Sequence, residues 1–265
     1  NFTRFPLFFP EKRDFFLEDS GTYNFGPGSR RRGRGSSLMP YFTRRIGLAD
    51  GRIIPIQLAT KLAGRLGDYD VGFTHARLEG PPGLDEQNVF AARVTKQVFS
   101  QSRVGVIATG GDPSSGLDNY VGGVDFTFRT NEFLDDRILE ANLYGLGNYA
   151  EAAGGGHGTD YAFGGRLSYP NDRWDGSLSY LEIGPGFDPA LGFVRRTGIR
   201  TVSGLIRRKH RPGGSGWYRE LAGGADVSVT SRTSGGLDSA RFGVAPFNLE
   251  FASTDELSLR LSHNI

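Results

Sequence analysis

The chain contains no cysteine, so neither a disulfide framework nor a thiolate metal site is available to it. Long apolar runs are also missing: no stretch approaches the roughly 20 residues that a transmembrane helix needs. No signal peptide opens the sequence, which begins at Asn1 and holds a single methionine, Met39. It reads as an internal piece of a longer protein, and missing targeting signals then say nothing about location. Net charge is only +2, which excludes the global field expected of a nucleic-acid binder. Hydrophobic residues make up 37% of the 265, whereas glycine numbers 40 and aromatics reach 12%. Glycine interrupts helices and aromatics favour strands, so composition points away from a helical protein.

What is present is alternation. In "NYVGGVDFTFR", Tyr120, Gly122, Val124, Phe126 and Phe128 share one face, with Val121, Gly123, Asp125, Thr127 and Arg129 on the other. Tyr161, Phe163, Leu167 and Tyr169 likewise oppose Arg166 and Ser168, and Trp174, Leu178 and Tyr180 oppose Asp175, Ser177 and Ser179. Leu139, Ala141 and Leu143 oppose Glu140 and Asn142. Such alternation marks sheet with one apolar and one polar face, in roughly a dozen segments of about 9–13 residues each.

A soluble sandwich uses strands of about 5–6 residues and buries its apolar face against a second sheet. A transmembrane barrel uses longer strands, turns the apolar face to lipid and keeps polar groups in the lumen. Strand length, aromatics near strand ends and the charges on the second face favour the barrel. Connections alternate in length as well, from "GD" at 67–68 to "GPPGLDEQ" at 80–87, as in outer-membrane barrels. The predicted fold is therefore all-β: an antiparallel transmembrane-type β-barrel of roughly 12 or more strands, incomplete at its C-terminus. Residues 37–265 form this barrel fragment and 1–36 a plug or linker segment. "SLMPYFTRRIG", 37–47, is the candidate first crossing, with Pro40 at the strand's beginning or edge.

"RFPLFFPEKRDFFLEDSGTYNFG", "YFTRRIGL", "ATKLAGRLGDYDVG" and "DRWDGSLSYLEIGPGFDPALGFVRR" together resemble one bacterial outer-membrane family. Its members place a β-sandwich like carbohydrate-binding-module family 9 before a C-terminal outer-membrane barrel domain of unknown function. The similarity runs from Phe5 to about Arg196. Asp14, where the family favours proline, and the inserted "GSRRRGRGSS" depart from its pattern. The resemblance implies a Gram-negative outer-membrane location, lipid as the surrounding partner, and carbohydrate reached through an N-terminal module that this chain lacks. It implies no activity.

Residues 8–18 pose the sharpest problem. Phe8, Phe9, Phe15 and Phe16 flank Glu11, Lys12, Arg13 and Asp14, and Pro10 forbids one continuous helix. Consecutive charges cannot face lipid, so Phe5 to about Phe25 is predicted to form a short, partly helical plug. Its charges Glu11, Lys12 and Arg13 would pair with inward-facing Arg129, Glu140, Arg166 or Asp175, and Asp125 also faces the lumen. Glu11 and Glu18 are the one candidate carboxylate pair for glycoside hydrolysis, and neutralisation of neighbouring cations is the plainer role. The four histidines are scattered, so no metal site is expected, and no motif calls for a cofactor. "RRRGRG" lacks interleaved aromatics and reads as a solvated loop rather than a nucleic-acid site. Three function classes remain: a pore or anchoring barrel, a membrane-embedded glycan hydrolase, and a soluble β-rich binding protein. The first is favoured, and an enzyme is the lesser expectation.

Overall fold

The structure, a computed structural model, describes residues 10–26, 38–49, 51–80, 85–213 and 216–265. The arginine-rich run at 30–34 and the first phenylalanines, Phe2 to Phe9, lie outside them. Alternation becomes strand nearly everywhere else. The short strands β1 (Leu38–Met39), β2 (Leu48–Ala49) and β3 (Arg52–Ile53) come first. They precede β4 (Ile56–Leu66), β5 (Tyr69–Leu78), β6 (Gln87–Val98) and β7 (Ser102–Gly110). Next come β8 (Asn119–Phe133), β9 (Arg137–Glu151), β10 (His157–Pro170) and β11 (Trp174–Ile183). A two-residue β12 (Phe193–Val194) separates these from β13 (Ile199–His210), β14 (Tyr218–Arg232), β15 (Leu237–Phe251) and β16 (Glu256–Asn264).

The twelve long strands form one antiparallel meander, each neighbouring the next long strand in sequence. The order ends at β4 on one side and β16 on the other, so the sheet is open. The closed barrel expected from the periodicity is therefore not formed, because closure requires the terminal strands to exchange ladder hydrogen bonds. Residues 37–47 do not supply the expected first crossing either. Pro40 has no N–H to give a ladder, and a 3₁₀ turn winds Thr43–Arg45 instead. Among the described residues of this stretch, Leu38 and Met39 alone form ladder pairs, with Val194 and Phe193.

Two compact units make up the chain. The first comprises Asn1–Thr127, Leu143–Phe163 and Ile183–Gly198; the second comprises Phe128–Asn142, Gly164–Glu182 and Ile199–Ile265. In the first, the apolar face is the exposed one. Val94, Val106 and Val124 lie in register across β6, β7 and β8, and Val124 is 58% exposed. On the opposite face Thr74, Arg93, Thr109, Asp125 and Thr127 are buried. The second unit repeats the pattern: Trp174, Leu178, Val202, Ile206, Phe242 and Val244 are exposed. Across from them Thr201 bonds Thr230 at 3.1 Å and Ser179 bonds Ser203 at 2.8 Å. A soluble sheet would have this the other way round.

The stretch 186–196 is the ordered loop its sequence predicts. Phe187, Leu191 and Phe193 are buried there, as are Ile46 and Ile54. Phe42 N donates to Leu191 O at 2.7 Å, and Arg45 Nε donates to Gly192 O at 3.1 Å. Asn119, beside the 111–118 connection, donates to Asp188 O at 2.9 Å and accepts from Ala190 N at 3.2 Å.

β8 runs on to Phe133, and only 134–136 turn before β9. Leu134, Asp135 and Asp136 all take left-handed backbone, with φ of 43°, 60° and 68°. Aspartate tolerates that region, whereas leucine is strained in it. Because Leu134 is exposed, Leu134→Gly loses no core contact. It is expected to stabilise the refolded protein by about 1 kcal/mol, read as a higher urea midpoint. An unchanged or lower midpoint would show that the turn is unstrained.

Candidate functional site

The most heavily built polar site lies on the buried face of the first unit. Arg93 on β6 and Asp125 on β8 are separated by β7, where Gly105 stands opposite Asp125 in register. A Cβ on Gly105 would come 2.7 Å from Arg93 Nη2, so glycine is what lets the guanidinium lie flat across β7. Arg93 Nη2 then donates to Asp125 Oδ1 at 2.6 Å, with side chains 0% and 2% exposed. A pair this dry persists only because both charges are matched; removing one partner typically costs about 3–5 kcal/mol.

Residues 10–26 lie over this face. The helix α1 (Asp14–Leu17) and a 3₁₀ turn at Ser20–Tyr23 confirm the partly helical character expected of the segment. Pro10 stays outside α1, as its missing N–H requires. Four attachments hold the segment. Gly26 N donates to Asp125 Oδ2 at 3.3 Å, and the Phe25 ring stands 5.2 Å from Arg93 Cζ and 5.9 Å from the Tyr144 ring. Tyr23 OH and Thr74 Oγ1 share a 2.7 Å hydrogen bond, beside Thr22 over Gly72. Lys61 Nζ on β4 donates to Phe15 O and Glu18 O, both at 3.0 Å, and pairs with Glu18 Oε2 at 3.3 Å.

The fourth attachment is centred on Glu11. Its carboxylate accepts from Arg13 Nη2 at 2.7 Å, from Thr43 Oγ1 at 2.7 Å and from the N–H groups of Lys12 and Arg13. Arg13 in turn donates to Ile46 O at 2.7 Å and Thr43 O at 2.9 Å, and its guanidinium lies 4.3 Å above the Phe16 ring. Burial pushes the Glu11 carboxyl up, but the hydrogen bonds from Arg13, Thr43 and Lys12 outweigh it and carry the value down to about 2. A carboxyl held ionised in this way cannot serve as a general acid at neutral pH.

The pairing differs from the one expected. Glu11 and Arg13 are satisfied within the segment and by residues 43–46, and Lys12 is exposed. In the second unit Arg129 pairs with Glu140 at 2.8 Å, and Arg166 donates to Ser168 Oγ and Ser177 Oγ at 2.9 and 2.8 Å. Asp175 is half-buried on the Ser177 face of β11. Among the described residues the segment instead meets Asp125, through Gly26, a contact outside the expected pairings. Sequence reasoning missed Arg93, Lys61 and Thr74. Arg93 alone left a signal, as the charge on the small-residue face of "VFAARVTK".

Among the described residues, no group of three or more His, Cys, Asp or Glu side chains converges on a metal position. Nor, among them, is any helix long and apolar enough to cross a membrane, which leaves crossing by strands open. Comparison with protein-family models, curated proteins and solved structures finds no match to this chain.

Because the ionised form of Glu11 makes these bonds, their contribution is complete above its ordinary value of 4.5 and is lost as pH falls towards 2. Pepsin cleavage at Phe15–Leu17 should therefore stay slow at pH 4 and accelerate steeply between pH 3 and 2, values set by that window. Glu11→Gln should be cleaved readily already at pH 4. Equal rates for the two proteins at that pH would remove Glu11 as an anchor.

Proposed function

We propose that the chain forms the wall of a Gram-negative outer-membrane β-barrel, with its apolar face toward lipid and its polar face toward the lumen. One observation carries the reading. The strands expose Val124, Leu143, Phe163, Leu178 and Val202 and bury Thr74, Arg93, Asp125 and Thr230. In water that arrangement forfeits the hydrophobic effect on one face and desolvates polar groups on the other. Hydrocarbon reverses the first cost, and a filled lumen satisfies the second. Both open edges then acquire strand partners in the assembled barrel, because bare N–H and C=O groups cannot stand in lipid. Strands of 9–15 residues suffice to span the core when tilted.

Within this reading the barrel passes a solute or anchors a module. The resemblance to the family with a carbohydrate-binding-module-like domain supports anchoring, with carbohydrate bound by that module. The glycan-hydrolase alternative is less favoured, because the bonds from Arg13 and Thr43 hold Glu11 ionised.

The absence of cysteine makes single-cysteine labelling clean. Val124→Cys, Leu143→Cys and Phe163→Cys, refolded into vesicles, should resist a water-soluble maleimide and react with an apolar one. Thr201→Cys, on the polar face, should show the reverse preference. Leu143→Arg should cost about 2–4 kcal/mol if it sits near the bilayer midplane. A protein that stays folded and monomeric in buffer, with Val124→Cys freely labelled by the water-soluble reagent, would rule out the membrane reading.

A further inference from the structure

We propose that residues 10–26 are a resident plug that keeps the lumen closed, docked on a site centred on the Arg93–Asp125 pair; this rests on the barrel reading above. The wall supplies the receptor: Lys61, the glycine gap at position 72, Thr74 and the dry pair itself, for which Gly105 makes room. The segment supplies the complement in the same order along the chain.

Three features mark this as a built docking site and not incidental contact. First, Asp125 divides its carboxylate between two partners, giving Oδ1 to Arg93 and Oδ2 to Gly26 N at 3.3 Å. One oxygen serves the wall and the other reads the segment. Second, Gly26 has φ +62°, and a Cβ there would lie 3.2 Å from the Tyr144 ring. Glycine is thus what allows this close approach in a left-handed conformation. Third, a Cβ on Gly72 would meet Thr22 Cγ2 at 2.8 Å, so the wall is hollowed where the segment crosses β5.

The polar contacts are few and spread over a short segment, with Phe16 and Phe25 buried beside them. A handful of charge-assisted and neutral hydrogen bonds holds a two-state element closed without making it irreversible. Attachment through Lys61, Tyr23 and Gly26 in series means that the segment can detach from the Gly26 end while its Glu11–Arg13 anchor on residues 43–46 remains. The plug would then swing aside while still tethered.

The test uses the full chain in phosphatidylcholine vesicles, with arabinose flux as readout and heat-modifiable gel mobility as the check on insertion. Gly26→Val strains only the segment's approach and leaves Arg93–Asp125 intact. It should raise flux by roughly tenfold, the effect of weakening the closed state by one such contact. Adding Thr22→Cys with Gly72→Cys places two Cβ atoms within the about 4.5 Å that a disulfide spans. Oxidation should return flux to the wild-type level, and reductant should raise it again. Tyr23→Phe, which removes only the hydroxyl bonded to Thr74, gives the same readout should Gly26→Val fail to fold. Inserted variants with wild-type flux, or a flux that oxidation does not lower, overturn the plug alone. A wild-type chain that never inserts overturns the barrel reading and the plug with it.

Discussion

A sheet whose polar face is the buried one is destabilised by each polar group left unmatched there, and this pressure organises the molecule. Burying a hydroxyl or a charge without a partner costs more than most single interactions return. The first unit answers with an ion pair across β7, and its N-terminal segment adds one further donor to the same carboxylate. The second unit answers with short-range pairs: hydroxyl to hydroxyl between Thr201 and Thr230, guanidinium to hydroxyl between Arg166 and Ser177. The difference is one of burial. Arg93 and Asp125 are almost wholly enclosed, whereas Arg129 and Glu140 are 42% and 32% exposed and keep access to water. Charges left partly hydrated need less from their neighbours.

Glycine content, which at first only argued against helices, turns out to be distributed with purpose. Gly105 admits the Arg93 guanidinium, Gly72 admits Thr22, and Gly184 leaves room for the Asp160 carboxylate that accepts from Gly186 N at 2.6 Å. In each case a side chain from elsewhere occupies the volume that a Cβ would claim. These gaps are invisible to composition, because they depend on which strand lies opposite. Only the register, with Gly105 facing Asp125, gives them meaning.

That distinction also explains what could be read from the residues alone. Period-two alternation is local, so the strands, their faces and the sense in which Asp125 opposes Phe126 were legible before any coordinates. The partly helical 10–26 segment was legible too, because Pro10 and the charge run leave few other options. Partner identity was not. Glu11 was expected to reach across to wall residues, but Arg13 is two positions away and a two-residue reach costs less ordering entropy than a long-range one. The expected strand at 37–47 failed for a local reason too: its apolar residues come in adjacent pairs, Leu38–Met39 and Tyr41–Phe42, and Pro40 cannot give a ladder N–H. Leu134 to Asp136 concealed a tight turn because two aspartates can adopt left-handed backbone without any glycine to announce it.

The packing at the loop end bears on whether such a barrel would conduct freely or act as an anchor. A barrel built for unhindered passage has no use for apolar side chains gathered between its connections, since each would have to be kept from collapsing into the channel. Here Phe187, Leu191 and Phe193 of the 184–198 connection are buried with Ile46 and Ile54. They are tied by backbone hydrogen bonds to residues that follow the N-terminal segment in the chain. The segment on the polar face and the cap on the connections are therefore parts of one continuous stretch of sequence. Chain that has been brought together in this way transmits a pull: a load applied before residue 10 reaches the Glu11–Arg13 anchor on 43–46 before it reaches Gly26. In the proposed barrel, force or binding at an N-terminal module would thus act on the plug through the anchor's own hydrogen bonds. In that proposed barrel, a plug with a tether suits the anchoring of such a module better than it suits a constitutive pore.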